Sequence, residues 1–148
     1  MVITYLKSGT DISSAEDAIT PDEVVQTIAA HNGGDGNHFH VEGKGQSHDI
    51  ISAVAGYYGL NCRKLGGNAT SIVSALQAGH PVIVSASGPK SDPNRYGTFT
   101  QRGHYLVLTG LTSDGQVLVN NPSNPTQSSQ SFSVAHVIHE TKAWWELY

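Results

Sequence analysis

Residues 103–122, "GHYLVLTGLTSDGQVLVNNP", decide how the rest of the chain is read. "HYLVLTGL" is apolar on both faces, as a strand inside a sheet is, and "QVLVNN" has the same character. "TSDG" between them closes on Asp-Gly, which turns a chain back on itself, and Pro122 ends the pairing because it has no amide hydrogen. An antiparallel hairpin is therefore predicted. With Leu111 opposite Gln116, Leu106 comes opposite Asn121 and His104 lies two residues further along. Side chains alternate along a strand, so His104, Leu106 and Asn121 share one face.

A histidine beside a side-chain amide has two meanings. It can be a core imidazole whose burial is offset by a partner, with Asn121 a turn residue before proline. It can also be a general base, held in one tautomer by the amide so that its other nitrogen serves a nucleophile. The hairpin pattern leaves both open.

Outward from the hairpin, "PVIVSAS" (81–87) reads as a buried strand, "FSVAHVIHET" (132–141) as a short helix and "AWWELY" (143–148) as a closing strand. The first half is helical. "ITPDEVVQTIAAHNGG" (19–34) has Thr20 as cap, Pro21 at the first helical position, and Asp22 and Glu23 at the positive end of the dipole. Val24, Val25, Ile28 and Ala29 are its expected buried stripe. "SHDIISAVAGYYGL" (47–60) is a second helix capped by Ser47, "NCRKLGG" a short strand, and "NATSIVSALQAGH" (68–80) a third helix stopped by Gly79. Helices first and an antiparallel sheet second give an α+β class, with the N-terminal helices packed on the C-terminal sheet.

The bulk composition narrows the function classes. At 148 residues the chain fits one domain. Its net charge of −4, without any basic run, argues against nucleic acid as a partner. No apolar run approaches the ~20 residues of a membrane span, and the N-terminus lacks the basic region of a signal peptide. The single cysteine, Cys62, excludes an internal disulfide and a multi-cysteine zinc site. "GDGNHFHVEGKGQSH" (34–48) is a long glycine-rich loop, of the kind that often carries function. His38 and His40, with His31 and His48 nearby, are the right type for zinc, but the prevailing reading is a polar loop over a cleft, with no metal and no cofactor. His38, Phe39, His40 and Gly103 are the expected substrate contacts.

The runs "ALQAGHPVIVSAS", "GTFTQRGHYLVLTG" and "DGQVLVNNPSN", with "YYGLNC" and "AWWEL", resemble the bacterial papain-like cysteine peptidases of the bacteriocin-processing type, in the branch found in cell-wall proteins. The resemblance covers nearly the whole chain, in order. It implies a papain-like fold, peptide or peptidoglycan substrates, an extracellular or cell-wall location, His104 as the catalytic base and Asn121 where the family usually has aspartate. The family's cysteine opens a helix in a Gly-Cys-Gly-Pro-Thr-like motif, where the dipole lowers its pKa. "MVITYLKSG" is similar to the end of that helix, so the nucleophile is expected about two turns before Met1, in an upstream segment of the same protein. The domain is then truncated at its N-terminus and inactive alone. The alternatives are a catalytically dead peptide- or wall-binding module, and a metal-dependent hydrolase built on His38 and His40. Cys62 reads as a structural residue.

Overall fold

The computed structural model describes residues 2–8, 19–31, 40–41 and 45–148. In chain order the helices are α1 (Val2–Ser8), α2 (Pro21–His31), α3 (Asp49–Tyr57), α4 (Ala69–Gln77) and α5 (Val134–Glu140). The strands are β1 (His40–Val41), β2 (Gly45–Gln46), β3 (Cys62–Lys64), β4 (Val82–Ser87), β5 (Gly103–Leu111), β6 (Val117–Asn120), β7 (Ser131–Phe132) and β8 (Thr141–Leu147). A 3-10 turn, Gln127–Ser129, precedes β7. Two compact units are present, one of Met1–Cys62 with Tyr148, the other of Arg63–Leu147.

In the first unit, α2 begins with a reciprocal cap. The Glu23 amide donates to Thr20 Oγ1 at 3.2 Å, and the Thr20 amide donates to Glu23 Oε2 at 2.6 Å. Ile28 of this helix is buried, Thr27 Oγ1 lies 3.0 Å from the hydroxyl of Tyr58 just past α3, and His31 stacks on Tyr57. That face corrects the expected stripe. Val25 is 63% exposed because it lies about 100° around the helix from Val24, off the face that Thr27, Ile28 and His31 define. The start of α3 is also one residue later than expected. His48 occupies the cap position, and Ser47 Oγ accepts the Asp49 amide at 3.3 Å.

The second unit is built on a sheet of order β3-β8-β4-β5-β6-β7, in which β4 lies antiparallel between β8 and β5. One face carries Val82, Val84 and Ala86 of β4, Leu106 and Leu108 of β5, and Val119 of β6, all buried. Ile72 and Leu76 of α4 and Val137 of α5 belong to the same core. Asn68 starts α4 by accepting the Ser71 amide at 2.9 Å, and Gly79, at φ +78°, takes the left-handed conformation that ends it. Helices followed by an antiparallel sheet make the expected α+β order.

The hairpin departs from its simple count and then returns to it. Leu111 pairs with Val117, not Gln116, because the Thr112 amide donates to the Gln116 carbonyl and Gly115 (φ +80°) closes the turn. A bulge between Leu108 and Gly110 takes up the extra residue, so that Leu108 faces Val119 and Val107 faces Asn120. Carried one residue past the last pair, Val107 with Asn120, this register sets Leu106 against Asn121, as the sequence count requires.

Leu108 is fully buried in this core, whereas Val25 is not. Leu108→Ala is expected to lose about 2–5 kcal/mol in urea unfolding, and Val25→Ala to stay within about 0.5 kcal/mol of the parent. Comparable losses at both would contradict the burial described.

Candidate active site

The segment "NNPSNPTQSSQ" (120–130) folds back on itself for local reasons. Pro122 holds the second position of a turn closed by the Asn124 amide on the Asn121 carbonyl at 3.1 Å. Asn124 then opens the 3-10 turn, its carbonyl accepting the Gln127 amide at 3.0 Å. This doubling back sets Gln127 and Ser128 beside Asn121. Ser128 Oγ accepts the Asn121 amide at 2.8 Å, and Gln127 Oε1 accepts Asn121 Nδ2 at 2.7 Å. Asn121 is 2% exposed, and its remaining side-chain atom, Oδ1, accepts the Ser123 amide at 3.0 Å.

The same Oδ1 lies 2.8 Å from His104 Nε2. An amide oxygen accepts and does not donate, so Nε2 carries the hydrogen and Nδ1 holds the lone pair. His104 is partly exposed at the start of β5, and no hydrogen bond to Nδ1 is found among the described residues. The arrangement is an imidazole oriented through Nε2, with Nδ1 making no hydrogen bond among the described residues.

The loop before β5 is held from below by a buried acid. Glu140, at the end of α5, is 1% exposed and accepts the amides of Tyr96, Gly97 and Thr98 at 2.8, 2.9 and 2.9 Å. His139 Nδ1 lies 2.9 Å from Oε1, the oxygen that also accepts the Tyr96 amide. Burial alone would raise the carboxyl's pKa. The Tyr96 amide, the His139 ring and the Thr98 and Gly97 amides outweigh that and hold it below the usual carboxylate range. Arg95 fastens the same loop, pairing with Asp92 and donating to the His139 carbonyl. At the loop's other end the Gly88 amide donates to the Arg102 carbonyl at 2.6 Å, and a Cβ on Gly88 would fall 2.1 Å from the Thr100 carbonyl oxygen. Thr98 is thus fixed, and its carbonyl accepts Gln127 Nε2 at 2.6 Å.

Of the residues expected at a site, His104 and Asn121 are in direct contact. Gly103 opens β5 beside them, with open space where a Cβ would stand. His38, Phe39 and the side chain of His40 lie outside the described residues, and with them the metal alternative. Cys62 opens β3, and β8 and β4 lie between β3 and the strand of His104. Burial also pushes the Cys62 thiol up, the reverse of what a nucleophile needs.

Other histidines also have partners. His80 Nδ1 and Arg63 both bind the buried Glu146, and His136 Nε2 shares a hydrogen bond with Thr98 Oγ1. Gln127, Thr98 and Glu140 were not singled out by the sequence. The repeated Asn-Pro of residues 121–125 hints at a chain that turns back, but no sequence pattern marks Gln127 or Glu140 as a partner in these contacts.

Comparison with known proteins agrees with this architecture. The chain is similar in fold to the peptidase domain of Streptococcus ComA, described as a bifunctional ABC transporter of a quorum-sensing pathway. The TM-score is 0.52 at 18% identity, covering 84% of this chain and 86% of that one. The peptidase domain of Streptococcus mutans ComA gives a TM-score of 0.50 at 15% identity, over 91% and 95%. These likenesses define an α+β, papain-like peptidase fold. The Peptidase C39 like family model matches residues 1–148, and the chain belongs to that family. No curated protein sequence matches it.

Because Glu140 is depressed, the stability it contributes is complete above the ordinary value of 4.5 and is lost as pH falls through the lower folded value. Glu140→Gln is expected to lower Tm at neutral pH and to make the fall of Tm under acid shallower than in the parent. Parallel Tm–pH curves for the two proteins would contradict the clamp.

Proposed function

We propose that this domain hydrolyses peptide bonds by thiol chemistry, with His104 as base and then acid, Asn121 orienting it, and a thiol other than Cys62 as nucleophile. The observation that carries this reading is the 2.8 Å contact of His104 Nε2 with Asn121 Oδ1, which leaves Nδ1 as the proton acceptor. Nδ1 takes the thiol proton, the thiolate adds to the scissile carbonyl, and the imidazolium returns the proton to the departing amine. A water then gives its proton to Nδ1 and its oxygen to the thioester, releasing the acid and the thiol. Asparagine in place of a carboxylate orients the ring without adding negative charge beside the imidazolium.

Bacterial cell-wall peptides are the proposed substrates, and the wall or the extracellular space the proposed location. Both rest on the motif resemblance of "YYGLNC", "GTFT" and "AWWEL". The resemblance to peptidases of the bacteriocin-processing type makes a leader peptide the natural competitor in the same assay. The position and raised pKa of Cys62 favour one second reading, a peptide-binding module without turnover.

The test compares this chain with the chain joined to an upstream Gly-Cys-Gly-Pro segment, on wall stem peptides and on a leader peptide. The joined form is expected to cleave stem peptides, and the chain alone to bind without turnover. His104→Gln in the joined form should lose about 10²–10⁴ in kcat, the usual contribution of a general base. Equal hydrolysis by both forms, or full activity of His104→Gln, would contradict the assignment. Binding without turnover by the joined form would favour the binding module.

A further inference from the structure

We infer that Gln127 is a positioning residue that sets the tautomer of His104, and that Asn121 and Gln127 form a matched amide pair. The inference rests on His104 being the base. It starts from two backbone groups whose roles cannot change. The Thr98 carbonyl only accepts, so the end of Gln127 that meets it at 2.6 Å is the Nε2 amide. The other end is then Oε1, an acceptor, and the Asn121 atom 2.7 Å away is Nδ2. Independently, the Ser123 amide only donates, and it meets Asn121 Oδ1 at 3.0 Å. Both constraints turn Oδ1 toward His104, whose Nε2 must carry the hydrogen.

The chain of donors is therefore directional from the imidazole to the Thr98 carbonyl, with no link that can be reversed alone. The buried Glu140 carboxylate, by binding the amides of residues 96–98, holds the terminal carbonyl where Gln127 meets it. The chain also bears on the asparagine itself. An aspartate at 121 would offer Gln127 Oε1 no hydrogen. Gln127 would have to turn over, bringing its own carbonyl against that of Thr98. The asparagine is thus the residue that this glutamine accommodates.

The test uses the 148-residue chain labelled with ¹⁵N-histidine, read by two-bond ¹H–¹⁵N correlation at about pH 8.5, where an ordinary imidazole is neutral. His104→Gln assigns the resonance, and circular dichroism checks the fold. The parent is expected to show the Nε2–H tautomer of His104. Gln127→Met, of matching length but without hydrogen-bonding groups, should raise the Nδ1–H fraction roughly three- to tenfold, the ratio set by one lost hydrogen bond. Gln127→Ala, which removes the links to both Asn121 and Thr98, should shift the tautomer ratio in the same direction. A folded Gln127→Met protein with the parent's tautomer ratio would overturn the inference. So would the parent's ratio in a folded Gln127→Ala protein, which carries the test if the methionine variant does not fold. Dependence of the tautomer on Gln127 alongside unimpaired hydrolysis by joined-form His104→Gln would instead overturn the base reading and leave the positioning intact.

Discussion

The site depends on the register in which β5 lies against β6. Side chains alternate, so a slip of one residue would send His104 and Asn121 to opposite faces of the sheet. The turn at 112–115 introduces such a slip, with Leu111 opposite Val117, and the bulge at Thr109 removes it. What fixes the corrected register is burial. Leu106, Leu108, Val117 and Val119 are all within 2% of full burial, and a slip of one residue would turn one strand's set away from the core. The core thus positions the imidazole and the amide before either makes a hydrogen bond.

Once the register is set, the polar groups are secured by mutual satisfaction. Burying a carboxylate such as Glu140 is costly unless hydrogen bonds replace water, and three consecutive amides and an imidazole do so. The anchored loop then supplies a fixed carbonyl to Gln127. Glu146, between Arg63 and His80, is the comparable device on β8. Burial would raise its pKa, and His80 and Arg63 lower it. Both acids hold chain segments distant in sequence, one linking α5 to the loop before β5, the other linking β3 and the start of β4 to β8.

Much of this was legible in residues 103–122. Alternation put His104 and Asn121 on one face, and the absence of an amide hydrogen on Pro122 marked where pairing stops. The sequence count reached the right opposition of Leu106 and Asn121 although its turn was one residue tighter than the real one, because the bulge restored the parity. A bulge has no strong signature here: Thr109 is an ordinary strand residue. Gln127 and Glu140 were not legible, since their roles arise from contacts 6 to 44 residues apart in sequence, across turns whose geometry the sequence only hints at. Val25 was misjudged because four apolar residues in six positions define a helical face only loosely, and the face was chosen by Tyr57 and Tyr58 of the neighbouring segment.

The most direct measurement of the central claim, that His104 serves a thiol, is the pH dependence of alkylation in the chain joined to a Gly-Cys-Gly-Pro segment. Iodoacetamide should modify that cysteine well below the ordinary thiol range of about 8.5, and His104→Gln should return its profile to that range. An ordinary profile in the joined chain, unchanged by His104→Gln, would contradict the claim.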